Sequence, residues 1–261
     1  MASGGVLWTK VFVYGTLKRG YTNYHRYLKK AVDAKRAKFI GSGTTKSKYP
    51  LVLRPLTRLP ATRGPILMDT HNSSSDSWGV IRGDIFELDA AALEAMDILE
   101  GVKEGYYYKK EIDVAPDGGA DVLPCFCYFY TIRSEQEDAD LLNASPLLAS
   151  YGDKEHEEYK PGPVNYGIVA KIQENTVTCR RCGVRYLKDR NQNGDCKFHG
   201  EAFSGETKQR WQAPGDPNHD GNEIHFFYSC CGNSDEKSEG CSRGRHISYD
   251  EPECCLYKDS Y

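Results

Sequence analysis

Eight of the ten cysteines in this 261-residue chain lie after residue 178, interleaved with histidine. Six of them, with two histidines, run Cys179-x2-Cys182, Cys196-x2-His199, the adjacent pair Cys230-Cys231, then Cys241 and finally His246. No other feature limits the fold as strongly, because four thiolates or imidazoles that share one tetrahedral ion fix the chain around it. Eight such residues divide into two sets of four. Disulfide scaffolds are usually short secreted chains, whereas cysteines mixed with histidine in an intracellular chain read as metal ligands. The expectation is two structural zinc ions, each closed by four protein ligands and supplying folding energy to a segment poor in aliphatic residues. A two-residue gap lets both members of a knuckle face one ion, but which residues share an ion stays open. His219 and His225 are spare, and Cys254-Cys255 reads as an exposed or packed tail.

The same skew marks a domain boundary, and 261 residues exceed the usual size of one domain. Residues 1–133 read as one domain, 134–170 as an acidic helix and linker, and 171–261 as the zinc-binding domain. Lys160-Pro161-Gly162-Pro163 is the linker signal, and a short helix is expected over Ala139 to Tyr151.

In the first part, short apolar runs alternate with turns. Strands are expected at Val11 to Tyr14, Ala37 to Gly41, Tyr49 to Leu53, Trp78 to Leu88, Tyr106 to Val114 and Val122 to Ile132. Asp117-Gly118-Gly119 forms the turn between the last two, and Asp69 to Asp76 reads as a projecting polar loop. Asp89 to Glu100 is the clearest helix: Asp89 caps it, Leu93, Met96 and Leu99 recur at helical spacing, and Gly101 ends it. Strands that outnumber helices and neighbour one another predict an α+β class, a small mixed β-barrel-like domain followed by the small zinc-stabilised one.

Two features of that domain carry chemistry. A strand that ends in Tyr14-Gly15-Thr16-Leu17 turns sharply at glycine and lets a ligand approach backbone N–H groups, which suit a carboxylate or a developing oxyanion. Glu100 ends a helix, where the macrodipole disfavours a carboxylate and a structural choice would more often be Lys or Arg. Partial burial there would raise its pKa toward a useful range. Cys125 and Cys127 share one strand face and read as buried core thiols.

Val11 to Gly20 (VFVYGTLKRG), Asn23, Tyr49-Pro50-Leu51-Val52, Gly83 to Leu88 and Met96 to Tyr107 (MDILEGVKEGYY) occur in that order. This set resembles the γ-glutamyl cyclotransferase superfamily, including its γ-glutamylamine and avirulence-induced-gene-2-like (AIG2-like) branches, over roughly residues 8 to 132. The resemblance implies an enzyme that releases 5-oxoproline from a γ-glutamyl amine or γ-glutamyl amino acid, with Glu100 as general acid/base. It also implies that the amides of Gly15, Thr16 and Leu17 hold the glutamyl group, that Tyr14, Tyr107 and Tyr130 line the site, and that catalysis needs no metal or nucleotide. Asn23 would brace the loop. The alternative is an inactive scaffold of the same fold that acts as a zinc-dependent adaptor.

The cysteine-rich part resembles the cysteine- and histidine-rich domain (CHORD), a two-zinc module, at Cys196 to His199, Tyr228 to Cys231 and Gly240 to His246. That resemblance implies a surface for a protein partner. Nucleic acid is not expected: the formal charge is -3, and residues 171–261 hold 13 Lys+Arg against 15 Asp+Glu. No apolar run has the length of a membrane span and the start lacks a leader pattern, so the expected compartment is the cytosol or the nucleus.

Overall fold

The computed structural model describes residues 7–54, 64–70, 78–119, 121–144, 146–207 and 224–252, with Ala144 described by its backbone alone. The chain divides into two compact units, Met1–Glu174 and Asn175–Tyr261.

The first unit is built on a closed five-stranded barrel. β1 (Thr9–Val13) pairs antiparallel with β5 (Gly79–Leu88), which pairs with the long β2 (Ala37–Tyr49). β2 continues to β6 (Tyr107–Pro116), β6 to β7 (Leu123–Tyr130), and β7 returns to β1 in parallel. Strand alternation sorts the side chains. Phe12, Ile85, Cys125, Cys127 and Phe129 fill one cluster, while Val11, Val13, Phe86, Leu88 and Tyr128 pack in another with the helices. Both barrel cysteines are buried as expected, and desolvation pushes the Cys125 thiol up to about 11.

Tyr49 to Leu53, expected as one strand, is broken at Pro50, which lacks the N–H a continuing ladder needs. β2 stops at Tyr49, and β3 (Leu51–Leu53) forms a separate hairpin with β4 (Pro65–Leu67), a strand the sequence did not announce. A π-helical turn (Tyr24–Leu28) running into α1 (Lys29–Asp33) was likewise unforeseen.

α2 (Ala90–Glu100) forms where expected. The Asp89 carboxylate accepts from the Ala92 N–H at 2.8 Å and pairs with buried Arg36 at 2.9 Å. Gly101 ends the helix with φ 62°, and a Cβ there would also strike the Tyr106 ring at 2.5 Å.

The helix expected over Ala139 to Tyr151 begins and ends earlier, as α3 (Glu135–Ala144). Pro146 has no N–H to continue the helix, and beyond it the Leu148 N–H donates to the Leu51 carbonyl at 2.8 Å. Segment 134–170 belongs to the first unit. Tyr151 is fully buried against the barrel, followed by α4 (Asp153–Glu157) and α5 (Tyr166–Ile172), which is capped by Asn165. The expected linker is pinned at both ends: Arg26 donates to the Gly162 carbonyl at 2.7 Å, and the Asn165 N–H donates to the Tyr27 hydroxyl at 2.9 Å.

The second unit consists of three two-stranded ladders. β8 (Thr176–Thr178) pairs with β9 (Arg185–Leu187), β10 (Cys196–Phe198) with β13 (Ser242–Gly244), and β11 (Phe203–Thr207) with β12 (Ile224–Tyr228). Among the described residues, Cys179, Tyr186, Cys196 and Phe198 form a buried cluster with Val177 and Cys182 packed against them, and Leu187 and Ile247 are buried as well.

Candidate functional site

A cavity of about 220 Å³ opens beside β1 in the first unit. Tyr14, Gly15, Thr16 and Leu17 form one wall of it, and Leu99 and Glu100 at the end of α2 form another. The turn is tight, with the Lys18 N–H donating to the Gly15 carbonyl at 2.9 Å. A Cβ on Gly15 would come within 2.4 Å of the Pro65 ring, so close packing of β4 on the turn requires glycine there. Asn23 braces the turn as expected: its Nδ2 donates to Thr16 Oγ1 at 2.9 Å and to the Tyr159 hydroxyl at 3.2 Å.

Tyr14 lines the cavity with its ring, but its hydroxyl belongs to the scaffold. It donates to the Tyr128 carbonyl at 3.0 Å and accepts the Leu67 N–H at 3.4 Å. Glu100 is partly buried, and no hydrogen bond reaches its carboxylate from the described residues. Desolvation raises its pKa to about 7, opposed by the positive charge of Arg54. Tyr107 also lines the cavity, its phenol pushed up by burial and by the Glu100 charge.

Tyr130 does not line this cavity. It stands behind Tyr107, the two rings edge to face at 5.6 Å, and its hydroxyl donates to Glu137 at 3.0 Å. Tyr130 pairs directly with Tyr107 at the end of the β6–β7 ladder, which puts the two side chains on one face and lets their rings meet.

Two lining residues escaped the sequence reading. Arg54 follows β3, and its N–H donates to the Gly64 carbonyl at 2.9 Å. Tyr159 arrives from the segment read as linker, stacked on His156 at 5.6 Å. His156 in turn contacts Thr22 Oγ1 and the Tyr151 hydroxyl, each at 2.9 Å. Neither residue had a motif; the aromatic run through Tyr151, His156 and Tyr159 was the available signal.

In the second unit the eight expected residues gather into two sets of four. Cys179, Cys182, Cys196 and His246 form one, and His199, Cys230, Cys231 and Cys241 form the other. In each, the donor atoms lie within 4.8 Å of one another. Thiolates 2.3 Å from a tetrahedral ion stand about 3.8 Å apart. Cys179 and Cys196 Sγ are 3.8 Å apart, and Cys230 and Cys241 Sγ 3.5 Å. The residues therefore fit zinc.

The first knuckle behaves as expected, with a tight turn (Gly183 N–H to Cys179 carbonyl, 3.0 Å) that brings Cys179 and Cys182 together. The second does not, because Cys196 and His199 fall in different sets. Cys196 lies in β10, and side chains three apart along extended chain point to opposite faces. Each histidine is held by a ring, His246 stacked on Tyr186 at 4.7 Å and His199 on Tyr228 at 3.5 Å. Cys254, Cys255 and His219 lie outside the described residues. His225, on β12, joins neither set.

Residues 11–146 match the family model described as gamma-glutamyl cyclotransferase, AIG2-like. A Drosophila melanogaster protein carrying a provisional gamma-glutamylcyclotransferase name is 31% identical over 58% of this chain and 84% of its own length. Gamma-glutamylaminecyclotransferase A of Danio rerio is 31% identical over 54% of this chain and 78% of its own. The crystal structure of a Mus musculus AIG2-like protein aligns with 60% of this chain and 96% of its own, at 25% identity and a TM-score of 0.47.

Proposed function

The chain belongs to the gamma-glutamyl cyclotransferase, AIG2-like family, and from that premise we propose that it cyclises γ-glutamyl amines to 5-oxoproline with Glu100 as the general acid/base. The observation that carries this is the Glu100 carboxylate facing the same cavity as the Tyr14 to Leu17 turn. A Glu100 carboxylate in bulk solvent would have favoured the inactive-scaffold alternative.

Above pH 7 the carboxylate is ionised and accepts a proton from the substrate's α-ammonium. The freed amine attacks its own γ-carbonyl carbon, forming the C–N bond of a five-membered ring, and the carbonyl electrons move to oxygen. The amides of Gly15, Thr16 and Leu17 stabilise that oxyanion. Attack leaves the ring nitrogen with one proton too many for a lactam. That proton and the one held by Glu100 both pass to the departing nitrogen as the carbonyl re-forms and the bond to it breaks. The amine therefore leaves as an ammonium, and Glu100 is again a carboxylate. Nucleophile and electrophile sit in one molecule, so holding the glutamyl chain folded supplies much of the acceleration. Tyr107 and Tyr159 line the cavity beside Glu100. Gamma-glutamylamine cyclotransferases among the relatives support a γ-glutamyl amine as the substrate class.

Zinc would be held by Cys179, Cys182, Cys196 and His246 in one site and by His199, Cys230, Cys231 and Cys241 in the other. Four protein donors per site would leave no open position, so such ions would cross-link the small second unit and supply folding energy, not catalysis. The resemblance of this unit to CHORD modules supports a protein-docking role.

The test is to incubate the full chain with γ-glutamyl-ε-lysine and a panel of γ-glutamyl amino acids and to assay 5-oxoproline. Formation of 5-oxoproline that persists undiminished in Glu100→Gln overturns the mechanism.

A further inference from the structure

Among the described residues that line the cavity, Arg54 is the only cation and Glu100 the only anion. The two are electrically coupled, the guanidinium holding the Glu100 pKa below what burial alone would give. Tyr107 lines the cavity with both and feels each charge: Glu100 raises its phenol and Arg54 lowers it. The guanidinium also sits 5.7 Å from the Tyr130 ring centroid. The Tyr130 ring thus stands against an arginine at the cavity wall, and no carboxylate among the described residues pairs with it.

A charge pair across a small cavity is complementary to a zwitterion. A γ-glutamyl group carries ammonium and carboxylate on the same carbon, so an ammonium held by Glu100 leaves the α-carboxylate beside it. We infer that Arg54 is the specificity residue that binds the α-carboxylate of the γ-glutamyl group, with the Tyr130 ring against its guanidinium. This rests on the cyclotransferase reading and adds a division of labour: Arg54 and Glu100 read the amino-acid end, and the turn amides take the γ-carbonyl end. A planar guanidinium suits a carboxylate bidentately, which a lysine does not reproduce.

The test compares two ligand pairs that differ only in that carboxylate. Substrates are a γ-glutamyl amide and the matching 4-aminobutyryl amide, which cyclises to 2-pyrrolidinone. Equilibrium ligands are 5-oxoproline and 2-pyrrolidinone, titrated into the full chain by calorimetry or NMR. A charged hydrogen bond of ordinary strength gives the wild type a preference of about 10- to 100-fold for the carboxylate-bearing member. Arg54→Gln should collapse that preference in both assays, and Arg54→Lys should restore part of it. Equal loss for both members of a pair, with a shifted pH profile, would show that Arg54 acts only through Glu100 and would overturn the assignment. Retention of the preference in Arg54→Gln, or a wild type without one, overturns it too. Carboxylate-dependent binding lost in Arg54→Gln without any turnover would sustain Arg54 and sink the cyclotransferase reading.

Discussion

Cys196 and His199 are separated by two residues, yet they contribute to different four-residue clusters. The strand β10 throws one to each side, so this short segment joins the two clusters as a hinge pin joins two leaves. The clusters differ in access: Cys179 and Cys196 are fully buried, whereas Cys230, Cys231 and Cys241 are exposed.

Metal content follows from that difference. The chain should bind two zinc ions, and a chelator should withdraw them in two phases, the exposed set first. Cys231→Ser should abolish the fast phase and leave the slow one. Cys196→Ser should remove the slow-phase ion and unfold the second unit, since it deletes a ligand that is also buried with Cys179, Tyr186 and Phe198. Chromophoric zinc release and near-ultraviolet circular dichroism report both effects; a single phase in the wild type would contradict the assignment.

Activity should depend on pH through Glu100. Its carboxyl must be ionised to take the ammonium proton, and burial places its pKa at about 7. The ratio kcat/KM should therefore rise with pH and level off above 7. Glu100→Gln should lose about 100-fold or more in kcat, with a much smaller change in KM. A profile already flat at pH 5 would contradict this.

Stability should respond with the opposite sign. The folded pKa of Glu100 lies above its unfolded value of 4.5. Folding is therefore favoured while the group is protonated in both states, below pH 4.5, and that advantage is lost as pH rises through 7. Because the side chain keeps some solvent contact, the cost at pH 8 should be on the order of 2 kcal/mol or less. Glu100→Gln should be more stable than wild type at pH 8 and indistinguishable from it near pH 4, measured by urea denaturation.

Gly15 gives a steric prediction. Its missing Cβ leaves room for Pro65, so Gly15→Ala should destabilise the first unit by about 1–3 kcal/mol and distort the turn. Replacing Pro65 by alanine removes the colliding ring carbon, and Gly15→Ala with Pro65→Ala should regain much of the melting temperature. Additive losses in the double variant would show that the clash is not the cause.

Local chemistry settled much of this molecule in advance. Asp89 and Gly101 bounded α2 because a capping carboxylate and a left-handed glycine are effects of a single turn. Cys125 and Cys127 could be assigned to one face of β7 because a strand's period is two. The Tyr14 to Leu17 turn and Glu100 were identifiable as companions through an ordered family pattern, and the eight metal-type residues through composition alone. What sequence could not fix were relations across long separations. Pairing of β7 back onto β1 closes the barrel and sets the turn against the end of α2. Packing of segment 146–165 on the barrel brings Tyr159 to the cavity, more than 130 residues from the Asn23 it contacts. Arg54 gained its place only once β3 and β4 had formed a hairpin beside the turn. The clusters were paired by the faces of β10, not by the gaps between cysteines. Side-chain direction and the meeting of distant strands follow from how the whole chain packs, and no window of neighbouring residues contains that information.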